Sequence, residues 1–187
     1  MDKLAKYIKA RIDIDDNVLS TIVSSFESRT IAKGKFAIKK NQLVTDYYFI
    51  LSGGLRMYIV HNDIELTRYF AFEGEMIADI SKIKARGRSN TYIEAIENTE
   101  LLTIKHEKME LLYETYPIWQ KFGRLLWEES FASVLNGVHN FQTLSAKERY
   151  LDIMKRSDIV KRVPLKDLSS FLGITPSSLS RIRKEIK

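Results

Sequence analysis

Residues 165–186 read LKDLSSFLGITPSSLSRIRKEI, and their pattern predicts two short helices meeting at a tight turn. Leu165, Leu168, Phe171 and Leu172 place one apolar face on the first helix. Gly173 follows where the turn needs positive φ, a conformation that glycine adopts without steric cost. Thr175 is a favourable N-cap, and Pro176 then takes the first helical position, where its missing N–H was unpaired anyway. On the second helix Leu179, Ile182 and Ile186 step by three and four and so face inward. Ser177, Ser178, Arg181 and Lys184 are left on the opposite face.

This is the layout of a helix-turn-helix, whose second helix sets its N-terminal residues against base edges in the major groove. Arg181 can bridge O6 and N7 of a guanine, a contact worth about 1–3 kcal/mol of base discrimination. Thr175, Ser177 and Ser178 can bond bases or phosphates. Arg183, Lys184 and Lys187 are expected to meet the phosphate backbone and to carry no sequence information. An ordinary helical hairpin with solvated serines and arginines is the alternative that spacing alone leaves open.

Charge separates these readings. Residues 144–187 hold eleven Lys and Arg against five Asp and Glu, a net of +6. The whole chain also carries +6, so residues 1–143 sum to zero, with nineteen charges of each sign. Positive charge gathered in one segment is the footprint of a phosphate-backbone binder.

Upstream, Ser145-Ala146-Lys147-Glu148 is an S-x-x-E capping box that starts a fresh helix carrying Tyr150, Leu151 and Met154. Before it, residues 118–140 form a long apolar segment entered through Pro117. Trp127, Phe131, Val134, Val138 and Phe141 recur at spacings of 4, 3, 4 and 3 and make one stripe. Ile118, Phe122 and Leu125 start a second, offset stripe. A helix with two apolar faces must bury both, one on its own domain and the other on a partner subunit. A helix wholly buried within a monomer is the competing expectation.

The middle of the chain has a different period. Runs rich in Tyr, Phe, Ile and Val at 47–51, 55–60, 66–72, 92–96 and 101–104 are bounded by Gly, Asn and Asp. His61-Asn62-Asp63 reads as a hairpin turn, and Gly34, Gly53, Gly54 and Gly74 fall where strands bend or meet. Such spacing predicts an antiparallel roll or barrel. Residues 2–26 predict two short helices broken near residues 13–16.

Other chemistry is scarce. The chain has no cysteine, which excludes disulfides, thiolate metal sites and a cysteine nucleophile. His61, His106 and His139 show no metal-binding spacing, so no metal site is expected. No Walker loop, GxSxG elbow or dinucleotide fingerprint is present, and no enzyme activity or cofactor is expected. Trp119 and Trp127 are expected to be packing residues. The basic run 82–88 is expected to be a solvated loop, with anion binding as the alternative. No apolar run reaches membrane-spanning length and the N-terminus lacks a signal-like core, so a cytoplasmic protein without membrane contact is expected.

The order of roll, long helix and C-terminal helix-turn-helix resembles the Crp/Fnr superfamily of bacterial transcription regulators. GITPSSLSRIRK resembles that family's recognition-helix region, in which an arginine at the position of Arg181 reads a G·C pair. YYFILSGGLRMYIV and YFAFEGEMIADI resemble its cyclic-nucleotide-binding-like jelly roll. The resemblance implies an α+β chain: a β-roll sensory domain with N-terminal helices over 1–116, a connecting and dimerisation helix over 117–141, and an all-α DNA-binding domain over 142–187. It implies a homodimer on double-stranded DNA, with Trp127, Phe131, Val134 and Val138 in the dimer seam and RNA polymerase as a candidate partner.

Two departures stand out. Cyclic-nucleotide-binding members carry a Gly-Glu pair for the ribose and a later Arg-Ser pair whose arginine neutralises the phosphate. Here the matching residues are Ala78-Asp79 and Ser89-Asn90, with Arg88 one place early. A buried phosphate would lack its counter-charge, so these five residues mark an effector pocket whose ligand is not cyclic AMP and is otherwise unidentified. The sequence also stops at Lys187, before the wing hairpin of many relatives. A sensor or interaction module that no longer binds DNA is the second functional reading.

Overall fold

The computed structural model describes residues 1–156 and 159–186. Two compact units divide the chain: Met1–Met57 with Phe70–Glu128, and Tyr58–Tyr69 with Glu129–Lys187.

The first unit begins with α1 (Asp2–Lys9) and α2 (Asp16–Ser24). Asp15 separates them, its carboxylate accepting from the Asn17 and Val18 N–H groups at 2.8 and 3.3 Å. The strands follow: β1 (Glu27–Ile31), β2 (Phe36–Ile38), β3 (Asp46–Ser52), β4 (Leu55–His61), β5 (Ile64–Ala71), β6 (Met76–Ile77), β7 (Tyr92–Ala95) and β8 (Thr99–Lys105). A single turn, α3 (Ile80–Ile83), lies between β6 and β7. The strands form two four-stranded sheets of order β1-β8-β3-β6 and β2-β7-β4-β5. The crossovers implied by these orders make the antiparallel jelly roll that the alternating runs predict.

Period-two geometry explains why β3 and β8 read as nearly continuous apolar runs. Tyr48, Ile50 and Leu101 pack with Ala37, Ile38 and Ile93 inside the roll. Phe49, Leu102 and Ile104 point the other way, into a core completed by Leu4, Ile8 and Ile22 of the N-terminal helices. The same core takes residues of α4 (His106–Thr115) and the first turns of α5 (Pro117–Thr143). Trp119 and Phe122 are wholly buried there and stack at 4.4 Å. Trp127, expected as a packing residue, is instead 54% exposed. It lies eight residues beyond Trp119, at the start of the exposed stripe that continues through Phe131, Val134 and Val138.

Sequence patterning had no expectation for β1, β2, β6 or α4. Four of the five β1 residues are exposed, so the strand lacks an alternating signature and is held by its pairing with β8. β2 and β6 are three and two residues long, too short to show any period. β5 begins at Ile64, two residues earlier than its apolar run, because Ile64 and Glu65 extend the hairpin past the turn. Asn62 and Asp63 supply that turn with φ of 49° and 60°.

The second unit contains the outer part of the β4–β5 hairpin, the C-terminal part of α5, and α6 (Ala146–Arg156), α7 (Ile159–Arg162), α8 (Leu165–Phe171) and α9 (Pro176–Ile186). The predicted capping box is formed: Glu148 Oε2 accepts from the Ser145 N–H at 2.7 Å, and Ser145 Oγ accepts from the Glu148 N–H at 3.3 Å. These bonds to Ser145 hold the Glu148 carboxyl below its usual range.

Candidate nucleic-acid interface and effector pocket

In α8 and α9 the inward residues Leu168, Leu172 and Leu179 are buried to 2% exposure or less. Gly173 between the helices has φ +68°, the left-handed conformation expected of the turn. The Thr175 hydroxyl accepts from the Ser178 N–H at 3.2 Å and lies 2.9 and 3.0 Å from the Ser177 and Ser178 hydroxyls. Thr175 therefore serves as the N-cap and organises both serines around the start of the helix. Ser177, Arg181 and Lys184 are exposed and Ser178 is half-buried. Together they form one polar, positively charged face opposite the Leu179 side.

Arg183 departs from its expected role at the phosphate backbone. It follows Leu179 by one helical step of four, so its stem lies on the inward side. Its Nη2 donates to the Val160 carbonyl at 3.4 Å, and its guanidinium lies 5.7 Å from the Tyr150 ring. It holds α9 against α6 and α7. Lys187 lies outside the described residues.

The back of α8 is tied to β5. The Ser170 hydroxyl accepts from the Thr67 N–H at 2.9 Å and donates to the Glu65 carbonyl at 2.8 Å. Lys166 adds an exposed ion pair with Glu65 at 3.4 Å. β5 is an edge strand, and a single side chain here satisfies one donor and one acceptor of its open edge. A serine on a short helix gives no sequence signal of this role.

The two stripes of α5 separate as expected. Ile118, Phe122 and Leu125 pack on the chain's own core. Trp127, Phe131, Val134 and Val138 are all 49% or more exposed, as is Leu135 between them. An uncovered run of large apolar side chains along one helix marks an interaction surface.

In the roll, Ala78 and Asp79 follow β6 and are buried, and Ser89 is buried beside them. The Asp79 carboxylate accepts from the Ser89 hydroxyl at 2.6 Å and from the Ser81 hydroxyl at 2.8 Å. Ser89 Oγ also accepts from the Thr91 N–H at 2.9 Å. Arg88 and Asn90 are exposed on either side of it, since neighbours along extended chain face opposite ways. The Arg88 Nη1 is committed to the Asn41 carbonyl at 2.7 Å. Of the five residues expected to line an effector pocket, Ala78, Asp79 and Ser89 are buried and Arg88 and Asn90 are exposed. Lys84, Arg86 and Arg88 of the basic run are exposed.

His61 and His139 are exposed. His106 is buried, with its Nδ1 3.4 Å from the Tyr47 hydroxyl. Among the described residues, no three His, Asp or Glu side chains are placed to hold a metal ion, and no helix is long and apolar enough to cross a membrane.

Comparison with known proteins agrees with this architecture. Residues 28–116 match the cyclic nucleotide-binding domain family. No curated protein sequence matches the chain. Among solved structures, FixK2 from Bradyrhizobium japonicum superposes with a TM-score of 0.70 at 16% identity, over 86% of this chain and 84% of that one. The global regulator CLP of Xanthomonas campestris, described as responsive to c-di-GMP, gives 0.71 at 14% identity over 92% and 91%. A Crp/Fnr-family transcriptional regulator from Eubacterium rectale gives 0.70 at 19% identity over 92% and 83%. Over residues 28–116 the roll therefore resembles a cyclic nucleotide-binding domain, and the chain as a whole shares its fold with these three solved structures.

Proposed function

We propose that this protein is a sequence-specific DNA-binding transcription regulator that acts as a homodimer. The observation that carries the reading is the face of Ser177, Ser178, Arg181 and Lys184, capped by Thr175 and backed by a buried Leu179. Such a face offers hydroxyls and a guanidinium to base edges at the helix N-terminus, and a lysine to phosphates. The net +6 of residues 144–187 supplies the long-range attraction. The exposed stripe from Trp127 to Val138 supports a second copy as its cover, because a palindromic site calls for two heads related by a two-fold axis. Selection from a library of genomic fragments tests the reading: enrichment of a shared palindromic sequence is expected, and equal retention of all fragments contradicts it.

The effector is a small molecule other than a cyclic nucleotide. Asp79 and Ser89 are bonded to each other within the roll, and Arg88 is turned outward, so a buried phosphate would meet a carboxylate in place of a cation. Calorimetric titration with cyclic AMP and cyclic GMP is expected to give no heat of binding. Saturable binding of either would overturn this part of the proposal.

A further inference from the structure

One side chain fastens the end of α5 to the turn of the helix-turn-helix. Arg149 lies in the first part of α6, four residues after the Ser145 cap. Its Nη1 donates to the Leu144 carbonyl at 2.5 Å and to the Phe141 carbonyl at 3.4 Å. Its Nη2 donates to the Leu172 carbonyl at 3.0 Å. The first two carbonyls belong to the exit from α5, where helix geometry leaves acceptors without intrahelical partners. The third belongs to the residue that closes α8, immediately before Gly173.

The Phe141 ring completes the joint. The Arg149 guanidinium lies 4.7 Å from its centroid, within cation–π range. The ring also abuts the turn, since a Cβ built on Gly173 would meet Phe141 Cε2 at 3.1 Å. The positive φ of Gly173 favours glycine there, and a Cβ would in addition push the Phe141 ring out of its place. The fork geometry matters as well: a planar guanidinium reaches carbonyls on two elements at once, which an ammonium cannot do with fixed orientation.

We propose that Arg149 is a positioning residue that makes the end of α5 and the DNA-reading head one rigid piece. The proposal rests on the reading of the chain as a DNA-binding homodimer. If α5 is the dimer seam, the two reading helices are then held at a set separation. Selectivity for half-site spacing originates in Arg149, whereas selectivity for bases originates in α9.

Two measurements on the full chain test this, each with Arg149→Lys and Arg149→Ala. The first needs no DNA: limited chymotrypsin digestion, with cleavage after Phe141 and Leu144 followed by mass spectrometry. The wild type is expected to resist, and both variants to be cut there about tenfold faster or more, because cleavage follows local opening. Unchanged cleavage overturns the clamp. Arg149→Lys, which keeps the charge and the stem, decides the matter if Arg149→Ala does not fold.

The second measurement uses palindromic duplexes whose half-sites are moved apart or together by one base pair. The wild type is expected to lose about tenfold in affinity at either displaced spacing. Arg149→Lys is expected to flatten that profile to within about threefold while keeping its affinity for a single half-site. A merely structural contribution would lower all affinities together and leave the profile steep, which would overturn the positioning role. If the wild type binds no duplex at all, the function proposed above fails, and the proteolysis result still decides the clamp.

Discussion

Arg181 and Lys184 share the exposed side of α9 and are expected to fail differently when removed. Arg181→Ala should flatten base preference at one position of each half-site, by about 1–3 kcal/mol. Lys184→Ala should weaken binding to all sequences alike and reduce the salt dependence. Competition binding against a panel of single-base variants distinguishes the two. Gly53 carries a stability prediction of the same scale. Its φ is +90°, and a Cβ there would lie 2.5 Å from the Asn98 carbonyl oxygen and 2.7 Å from Thr99 Cα. Gly53→Ala should therefore cost about 2 kcal/mol or more, read from denaturant unfolding. The exposure of Arg181 was legible in the sequence because it depends on helix phase alone. Arg183 was not, since four residues after Leu179 the chain turns a cation onto Tyr150 and Val160. Asp79 and Ser89 could be picked out by likeness to relatives, but their hydrogen bond to each other joins β6 to the start of β7 and leaves no trace in linear spacing.

Helices with capping residues and a clear apolar stripe were the most legible elements. The Ser145–Glu148 box appears as its four-residue spelling implies, and Ser145→Ala should cost about 1 kcal/mol in thermal unfolding of the head. Its pH dependence has a definite sign. The folded state lowers the Glu148 carboxyl, so this contribution is present above the ordinary glutamate value and is lost as pH falls through the depressed one. The difference in melting temperature between wild type and Ser145→Ala should accordingly shrink in acid. α5 offers a second expectation at this scale. Phe131 is 65% exposed at the middle of the uncovered stripe, so Phe131→Glu should leave the fold intact and shift sedimentation from dimer to monomer. The elements that spacing missed are those whose stability comes from partners. β1 is polar and is held by its ladder to β8, and α4 contributes only His106, Met109 and Leu112 to a core assembled from distant segments.

At the scale of the whole molecule, the change from period two to period 3.6 near Pro117 made the order of roll, long helix and helical head readable. The grouping of residues 58–69 with the C-terminal helices was not readable, because Ser170 grips backbone groups of Glu65 and Thr67 and any side chains there would serve. Charge was readable without any fold: residues 1–143 are neutral, and residues 144–187 carry the whole excess of +6. That asymmetry, joined to the exposed face of α9, is the basis for placing DNA recognition in the C-terminal helices. The most direct test is the affinity of the full chain for a library-selected palindrome and for its scrambled counterpart, measured at 50 and 200 mM salt. The account predicts a preference of about a thousandfold for the palindrome, with both affinities falling by at least about tenfold between the two salts. Equal affinity for the two duplexes, or binding indifferent to salt, would contradict it.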